Sequence, residues 1–178
     1  MKKRMLILLL IIIPLLETAA HPLGDSLNNV RSERKFGISL KLGGSYDVLG
    51  GLEIDYFLSP ALNLEADIFQ LGLLGNTKYY GGGINYYPFG NKAGTRLSPY
   101  IGLLAGYASG SSFLAGEPVQ SFMLTIPLGI NYIGKKGMNL SIDLSGVYAS
   151  ETKGSAESYR IRRFIVGPVP GLKVGYRF

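Results

Sequence analysis

Acidic residues stand at alternate positions in two neighbouring stretches of the sequence. Glu53 and Asp55 form the first pair, and Glu65 and Asp67 form the second. Alternate residues of a β-strand share one face, so each pair predicts two carboxylates on the same side of a strand. Grouped carboxylates can hold a metal ion or can pair with cations. Which of these occurs depends on whether cations stand nearby.

Cations that could neutralise these carboxylates come from the first and last predicted strands, which are neighbours where a barrel closes. An arginine can also grip a carboxylate with two parallel hydrogen bonds. Because a buried unpaired charge is costly, we expect ion pairs here and no metal site. The predicted luminal charge network consists of Lys41, Glu53, Asp55, Glu65, Asp67, Asp143, Lys173 and Arg177. Two roles for this network stay open. It could be a structural plug, or it could form a narrow ion path or a binding site.

Residues for nucleophilic catalysis are scarce. The chain has no cysteine, and its one histidine, His21, stands before the first predicted strand. Ser141 and Ser145 therefore lack a histidine base of the kind that acyl transfer uses. We expect no catalytic residue, no cofactor and no metal, and we interpret these serines as lining of the lumen.

A second set of cations stands near the end of the chain. Arg160, Arg162 and Arg163 follow a polar stretch and are predicted to lie in the last outer loop. Arginines in this position could contact the phosphates of lipopolysaccharide at a membrane surface. A solvated loop whose cations only aid solubility is the alternative.

The elements that must position these residues are strands. Apolar residues alternate with small or charged ones in eight segments of about the length of a tilted membrane-spanning strand. The predicted strands are 36–43, 51–58, 62–69, 79–89, 98–108, 121–132, 138–145 and 170–178. An even number of strands with short and long connections alternating predicts an all-β, eight-stranded, antiparallel, up-and-down transmembrane β-barrel. The predicted outer loops are 46–50, 72–78, 108–120 and 149–167.

The start of the chain has the three parts of a secretory signal peptide. A basic beginning is followed by an apolar run from Met5 to Leu16, which is too short to span a membrane, and then by small residues. We therefore predict a cleaved signal peptide at 1–20, a polar periplasmic leader at 21–35 and the barrel at 36–178. An exported chain with mild positive charge is not expected to bind nucleic acid.

The end of the chain indicates which face meets lipid. Leu172, Val174, Tyr176 and Phe178 alternate with small or cationic residues. This ending resembles the C-terminal signal by which the barrel assembly machinery recognises outer-membrane barrels. Aromatic residues near strand ends are typical of the interfacial girdles of such barrels. The apolar faces are therefore predicted to face lipid and the charged faces to line the lumen.

The mature sequence resembles the small OmpA-like and OmpX-like barrels, including the family of outer-membrane protein β-barrel domains. Segments such as "YYGGGINYYPF", "SPYIGLLAGY" and "IPLGINYIGKKGMNLSIDL" are similar to that family. The resemblance implies a bacterial outer-membrane location, with membrane lipids including lipopolysaccharide and the barrel assembly machinery as partners. It implies little about activity.

The predicted function is that of a non-enzymatic outer-membrane barrel whose lumen is filled by side chains, with a structural or surface-interaction role. A host or envelope protein could be a further partner. Three alternatives stay open: a narrow channel or a barrel that binds a small solute or lipid, a lipid-modifying enzyme, and a soluble periplasmic barrel with the opposite face inside.

Overall fold

The architecture consists of strands with one short helix. The computed structural model describes residues 29–44, 48–72, 78–92, 94–111, 118–153 and 160–178. Their elements are α1 (Val30–Glu33), β1 (Phe36–Gly43), β2 (Val48–Ser59), β3 (Leu62–Gly72), β4 (Lys78–Tyr86), β5 (Leu97–Ser111), β6 (Pro118–Ile133), β7 (Met138–Lys153) and β8 (Arg160–Arg177). In these ranges, no helix is long and apolar enough to cross a membrane.

The eight strands form a closed barrel in which each strand pairs with the next one along the chain. The ring is closed by antiparallel pairing of β1 with β8, from Gly37 opposite Arg177 to Gly43 opposite Gly171. We call the end where β1 begins and β8 ends the terminal end, and the opposite end the loop end. The predicted eight-stranded, up-and-down antiparallel barrel is confirmed.

Side chains alternate between lumen and exterior along the strands. In β1, Ser39 and Lys41 are buried, whereas Leu40 and Leu42 are 64% and 54% exposed. Apolar side chains dominate the outward faces, as in Leu58, Leu103, Ile126, Leu128, Ile142 and Leu144. A continuous apolar exterior of this extent would be unfavourable in water and is that of a membrane-spanning barrel.

Aromatic residues mark both edges of the apolar exterior. The belt at the terminal end consists of Phe36, Tyr56, Tyr86, Tyr132, Tyr176 and Phe178, and that at the loop end of Tyr80, Tyr107, Phe122 and Tyr148. On β6, ten residues separate Phe122 from Tyr132, or about 33 Å along the strand. With a strand tilt of about 40°, this corresponds to a band about 25 Å tall, which matches the apolar band of outer-membrane barrels.

The strands β5 to β8 extend further toward the loop end than predicted. The predicted outer loops 108–120 and 149–167 were wrong in large part, because β5 continues to Ser111, β6 begins at Pro118, β7 continues to Lys153 and β8 begins at Arg160. The pairing of β7 with β8 has a register shift between Ser145 and Val147. Beyond it, odd-numbered residues of β8 such as Ile165 are exposed, whereas Val147 and Ala149 of β7 stay buried. The alternation in the sequence is interrupted there, although pairing continues.

Candidate functional site: the filled lumen

Side chains fill the lumen in three layers along the barrel axis. Buried aromatic and apolar residues close the terminal end, and these are Val30, Phe57, Tyr87, Tyr100 and Ile133. Charged side chains occupy the middle. A second apolar cluster lies toward the loop end and contains Tyr79, Ala108, Met123, Val147 and Ala149, with Val169 packed against it. The charged layer thus lies between two clusters of buried apolar and aromatic side chains.

The middle layer is built around Glu65. Its carboxylate accepts hydrogen bonds from Lys41 Nζ at 2.8 Å and from Lys173 Nζ at 2.5 Å. Lys173 Nζ also lies 2.7 Å from Glu53 Oε2, in an ion pair outside hydrogen-bond geometry. Lys41 Nζ reaches Asp67 at 3.3 Å. Five of the eight residues of the predicted network therefore form one cluster, and all five are buried.

The strand register places like charges beside one another within this cluster. Lys41 stands opposite Lys173 on β1 and β8. Glu53 stands opposite Asp67 on β2 and β3. Like charges at paired positions destabilise a sheet, so neither strand pair is favourable alone. The repulsion is offset because the cations of one pair reach the carboxylates of the other.

The same carboxylates could in principle hold a metal ion. One oxygen each from Glu53, Glu65 and Asp67 lies within 4.8 Å of the others. The ammonium groups of Lys41 and Lys173 already lie against these oxygens. A metal ion would have to displace both, so the chemistry of this donor set favours ion pairing.

Arg177 and Asp55 form a second ion pair, with Arg177 Nη1 2.5 Å from Asp55 Oδ2. Asn63 donates to the same oxygen at 2.7 Å. Asn85 donates to Glu65 Oε2 at 2.6 Å and so supports the central cluster from β4. The two asparagines were not among the predicted site residues. The alternation of their strands could have indicated them, because it places both side chains on the luminal face.

Asp143, the remaining predicted network residue, is buried but has different partners. Its carboxylate accepts hydrogen bonds from Tyr100 Oη at 2.7 Å and from Ser145 Oγ at 3.2 Å. No cation of the described ranges lies within ion-pair distance of it. Asp143 therefore links β7 to β5 through hydroxyl groups.

Residues 29–35 of the predicted leader close the terminal end of the lumen. Asn29 caps α1 by accepting a hydrogen bond from Arg31 N at 3.0 Å. The guanidinium of Arg31, which is fully buried, donates to Thr95 O at 2.8 Å and lies 5.3 Å from the centre of the Tyr87 ring. Sequence reasoning missed Arg31, since nothing in its aperiodic surroundings indicates burial.

Burial also shifts the ionisation of this terminal layer. Desolvation lowers the pKa of Arg31 to about 10, because the charged form loses its hydration. The guanidinium is still protonated at neutral pH. Desolvation raises the pKa of Tyr87, so its phenol is neutral and can face the cation through its ring.

Arg160, Arg162 and Arg163 lie on β8 and not in an outer loop, so their predicted placement was wrong. They pair with Lys153, Glu151 and Ser150 of β7 because the hairpin of β7 and β8 continues past the point where the apolar alternation fades. The side chain of Arg163 is exposed; those of the other two lie outside the described residues. Contact of the three with lipid phosphates stays a prediction.

The final residues place their apolar side chains on the exterior. Val174, Tyr176 and Phe178 are exposed, and Leu172 is half-buried. Phe178 N donates to Phe36 O at 2.8 Å, and the Phe178 ring packs against Tyr176 with 5.0 Å between centroids. These side chains lie together on one face at the seam between β1 and β8.

The described residues offer little for catalysis. They contain no histidine, and His21 lies outside them. Ser145 Oγ donates to Asp143, and Ser141 Oγ accepts a hydrogen bond from Asn131. Both serines are thus used within the lumen as lining groups.

Comparisons with known proteins give a fold-level likeness only. No protein-family model and no curated protein matches the chain. Among solved structures, the chain is similar to the outer membrane protein Ail of Yersinia pestis in a phospholipid bilayer nanodisc. The match has 17% identity, covers 82% of this chain and 99% of that one, and has a TM-score of 0.38. At this similarity no activity transfers. From its own strand pairing, the chain has the strand number and topology of the small OmpA-like and OmpX-like barrels that its sequence resembles.

Proposed function

We propose that this protein is a sealed, non-enzymatic barrel of the bacterial outer membrane with a structural or surface-interaction role. The observation that carries the proposal is the three-layered filling of the lumen, with an apolar cluster on each side of the charged layer. An eight-stranded barrel has room for side chains but not for a wide water channel. The apolar exterior between two aromatic belts supports the membrane location.

Ion pairing in the middle layer favours a plug over an ion path. Lys41 and Lys173 are held at 2.5 to 3.3 Å from the carboxylates of Glu65, Glu53 and Asp67. A permeating ion would have to separate these partners and also displace Tyr87 or Tyr100 in the terminal layer. Both steps expose buried charge or open packed apolar contacts, which is costly.

Planar-bilayer recording tests the sealed lumen. The folded monomer should show no large, stable conductance, because side chains of the three layers occupy the lumen. A folded E65A/K173A variant is the matched comparison, because it removes the central contact of the middle layer. Stable conductance from the unaltered protein would contradict the proposal and favour the narrow-channel alternative.

Export and assembly complete the proposed function. The predicted signal peptide at 1–20 would direct the chain across the inner membrane, and the predicted leader would follow at 21–35. The barrel assembly machinery would then read Leu172, Val174, Tyr176 and Phe178 at the seam. Membrane lipids, including lipopolysaccharide, would surround the finished barrel, and a host or envelope protein could bind its loop end.

Deleting Phe178 should reduce the amount of folded barrel in the outer membrane. The deletion removes the exposed ring at the seam together with its hydrogen bond to Phe36 O. Comparing boiled and unboiled samples on a gel measures the compact, heat-modifiable form. A Phe36→Ala variant is the matched control, since it removes a seam ring and keeps the chain end. An equal amount of compact form with and without Phe178 would exclude a role for this residue in assembly.

A further inference from the structure

Basic residues surround the terminal end of the barrel. We define the basic rim as Arg34, Lys35, Lys92, Arg96, Lys135 and Lys136. Glu33 is the single acidic residue among the described residues that connect elements at this end. These connecting residues are 29–35, 59–61, 87–92, 94–96 and 134–137. Arg31 adds a further, buried cation behind the rim. This end of the barrel is therefore strongly positive.

Tight turns and aromatic contacts fix the rim in place. Lys135 and Lys136 stand at the tip of a turn closed by a hydrogen bond from Gly134 N to Met138 O at 2.8 Å. Gly137 in this turn has φ +100°, a conformation that favours glycine. Lys92 Nζ lies 4.7 Å from the centre of the Phe89 ring.

The rim cations have no carboxylate partners in the part of the chain that the structure describes. The ion pairs within 4.0 Å there involve Lys41, Lys173 and Arg177, all inside the lumen. Lys35, Lys92, Lys135 and Lys136 are exposed, and Arg34 and Arg96 are half-exposed. Their charge is thus available to an external anion.

The depth of the rim relative to the aromatic belt identifies the anion. Lys35 directly precedes Phe36 of the terminal belt, and Lys135 stands three residues beyond Tyr132. At about 3.3 Å per residue, these cations lie within about 10 Å of the belt. Aromatic belts lie at the level of the lipid headgroups, so the rim lies at the depth of the phosphates.

We propose that the basic rim binds the anionic headgroups of phospholipids in the leaflet at the terminal end. Six cations around one ring, without carboxylate partners among the described residues, complement a surface of phosphates, and each cation near such a surface strengthens the attraction. The inference rests on the proposed membrane location but not on the state of the lumen. It assigns a lipid partner to the end opposite Arg160, Arg162 and Arg163.

Lipid selectivity of rim variants tests this assignment. Wild-type protein, K135Q/K136Q and the loop-end control K78Q are refolded into phosphatidylcholine vesicles that contain some phosphatidylglycerol. Electron paramagnetic resonance of spin-labelled lipids then gives the preference of the barrel for phosphatidylglycerol over phosphatidylcholine. We expect the rim variant to lower this preference about threefold and the control to change it less. High salt should reduce the wild-type preference, because it screens exposed charges.

Each other outcome contradicts the inference in a different way. A preference that is absent in wild type, or that falls only in the loop-end control, would overturn it. So would unchanged lipid preference together with weaker binding of the rim variant to purified peptidoglycan, whose carboxylates would then be the ligand. Failure of wild-type protein to insert, shown by no heat-modifiable band, would contradict the proposed function as well. Insertion without selectivity contradicts the inference alone.

Discussion

Replacing Lys173 by methionine should lower the free energy of unfolding of the barrel by about 3–5 kcal/mol. The substitution leaves carboxylates of Glu65 and Glu53 buried without the ammonium that lies 2.5 and 2.7 Å from them. Methionine keeps much of the side-chain volume of lysine. The loss of unfolding free energy can therefore be attributed to removal of the positive charge. Urea unfolding in lipid vesicles, followed by circular dichroism, measures the change.

Two further variants show whether the effect belongs to the ion pairs. Lys78→Met removes an exposed cation from β4 and should change stability by less than about 0.5 kcal/mol. The double variant K173M/E65Q should lose less than the sum of its two single variants, since partners in one network are coupled. A loss in Lys173→Met equal to that in Lys78→Met would contradict the role given to the central cluster.

Replacing Arg177 by leucine should release the segment that closes the terminal end. The Arg177 side chain pairs with Asp55, donates to Arg34 O and Lys35 O at 3.1 and 2.8 Å, and stacks 4.2 Å from the centre of the Phe57 ring. Without these contacts, trypsin should cleave between residues 31 and 35 about 100-fold faster, because local opening controls proteolysis. Mass spectrometry of the released peptides measures the rate.

Arg177→Lys is the matched control for this prediction. Lysine keeps a positive charge toward Asp55 but lacks the planar fork that reaches two carbonyl groups at once. Its cleavage rate should fall between those of wild type and Arg177→Leu. Cleavage that stays as slow as in wild type in all variants would show that other contacts hold this segment.

Strand facing was predictable from the sequence because a single rule governs it. Lys41, Glu53, Glu65 and Lys173 each alternate with apolar neighbours, and a side chain in a strand faces the opposite side from the next one. Closure of the ring then brings the first and last strands together. Facing and closure were enough to place these four residues in one layer of the lumen.

Contacts that do not follow from alternation were not predictable. Arg31 is buried because a polar segment folds back over the end of the lumen. Asp143 of β7 accepts a hydrogen bond from Tyr100 of β5, which is not a neighbouring strand. Both depend on how side chains fill the lumen in three dimensions, which periodicity does not encode. The length of β8 was missed for a related reason, since Gly167, Pro168 and Pro170 interrupt its apolar pattern while pairing with β7 continues.

The like-charge pairs within the barrel wall affect which strand registers are energetically favourable when the ring closes. The pairing of β1 with β8 sets Lys41 opposite Lys173, and the pairing of β2 with β3 sets Glu53 opposite Asp67. The repulsion within these two strand pairs is thus offset only when the closed ring brings Lys41 and Lys173 against the carboxylates of β2 and β3. A slip of one residue in β1, β2, β3 or β8 would also turn its charges from the lumen into lipid, where burial of a charge is costly. The luminal charges therefore also disfavour pairing of these strands in a shifted register.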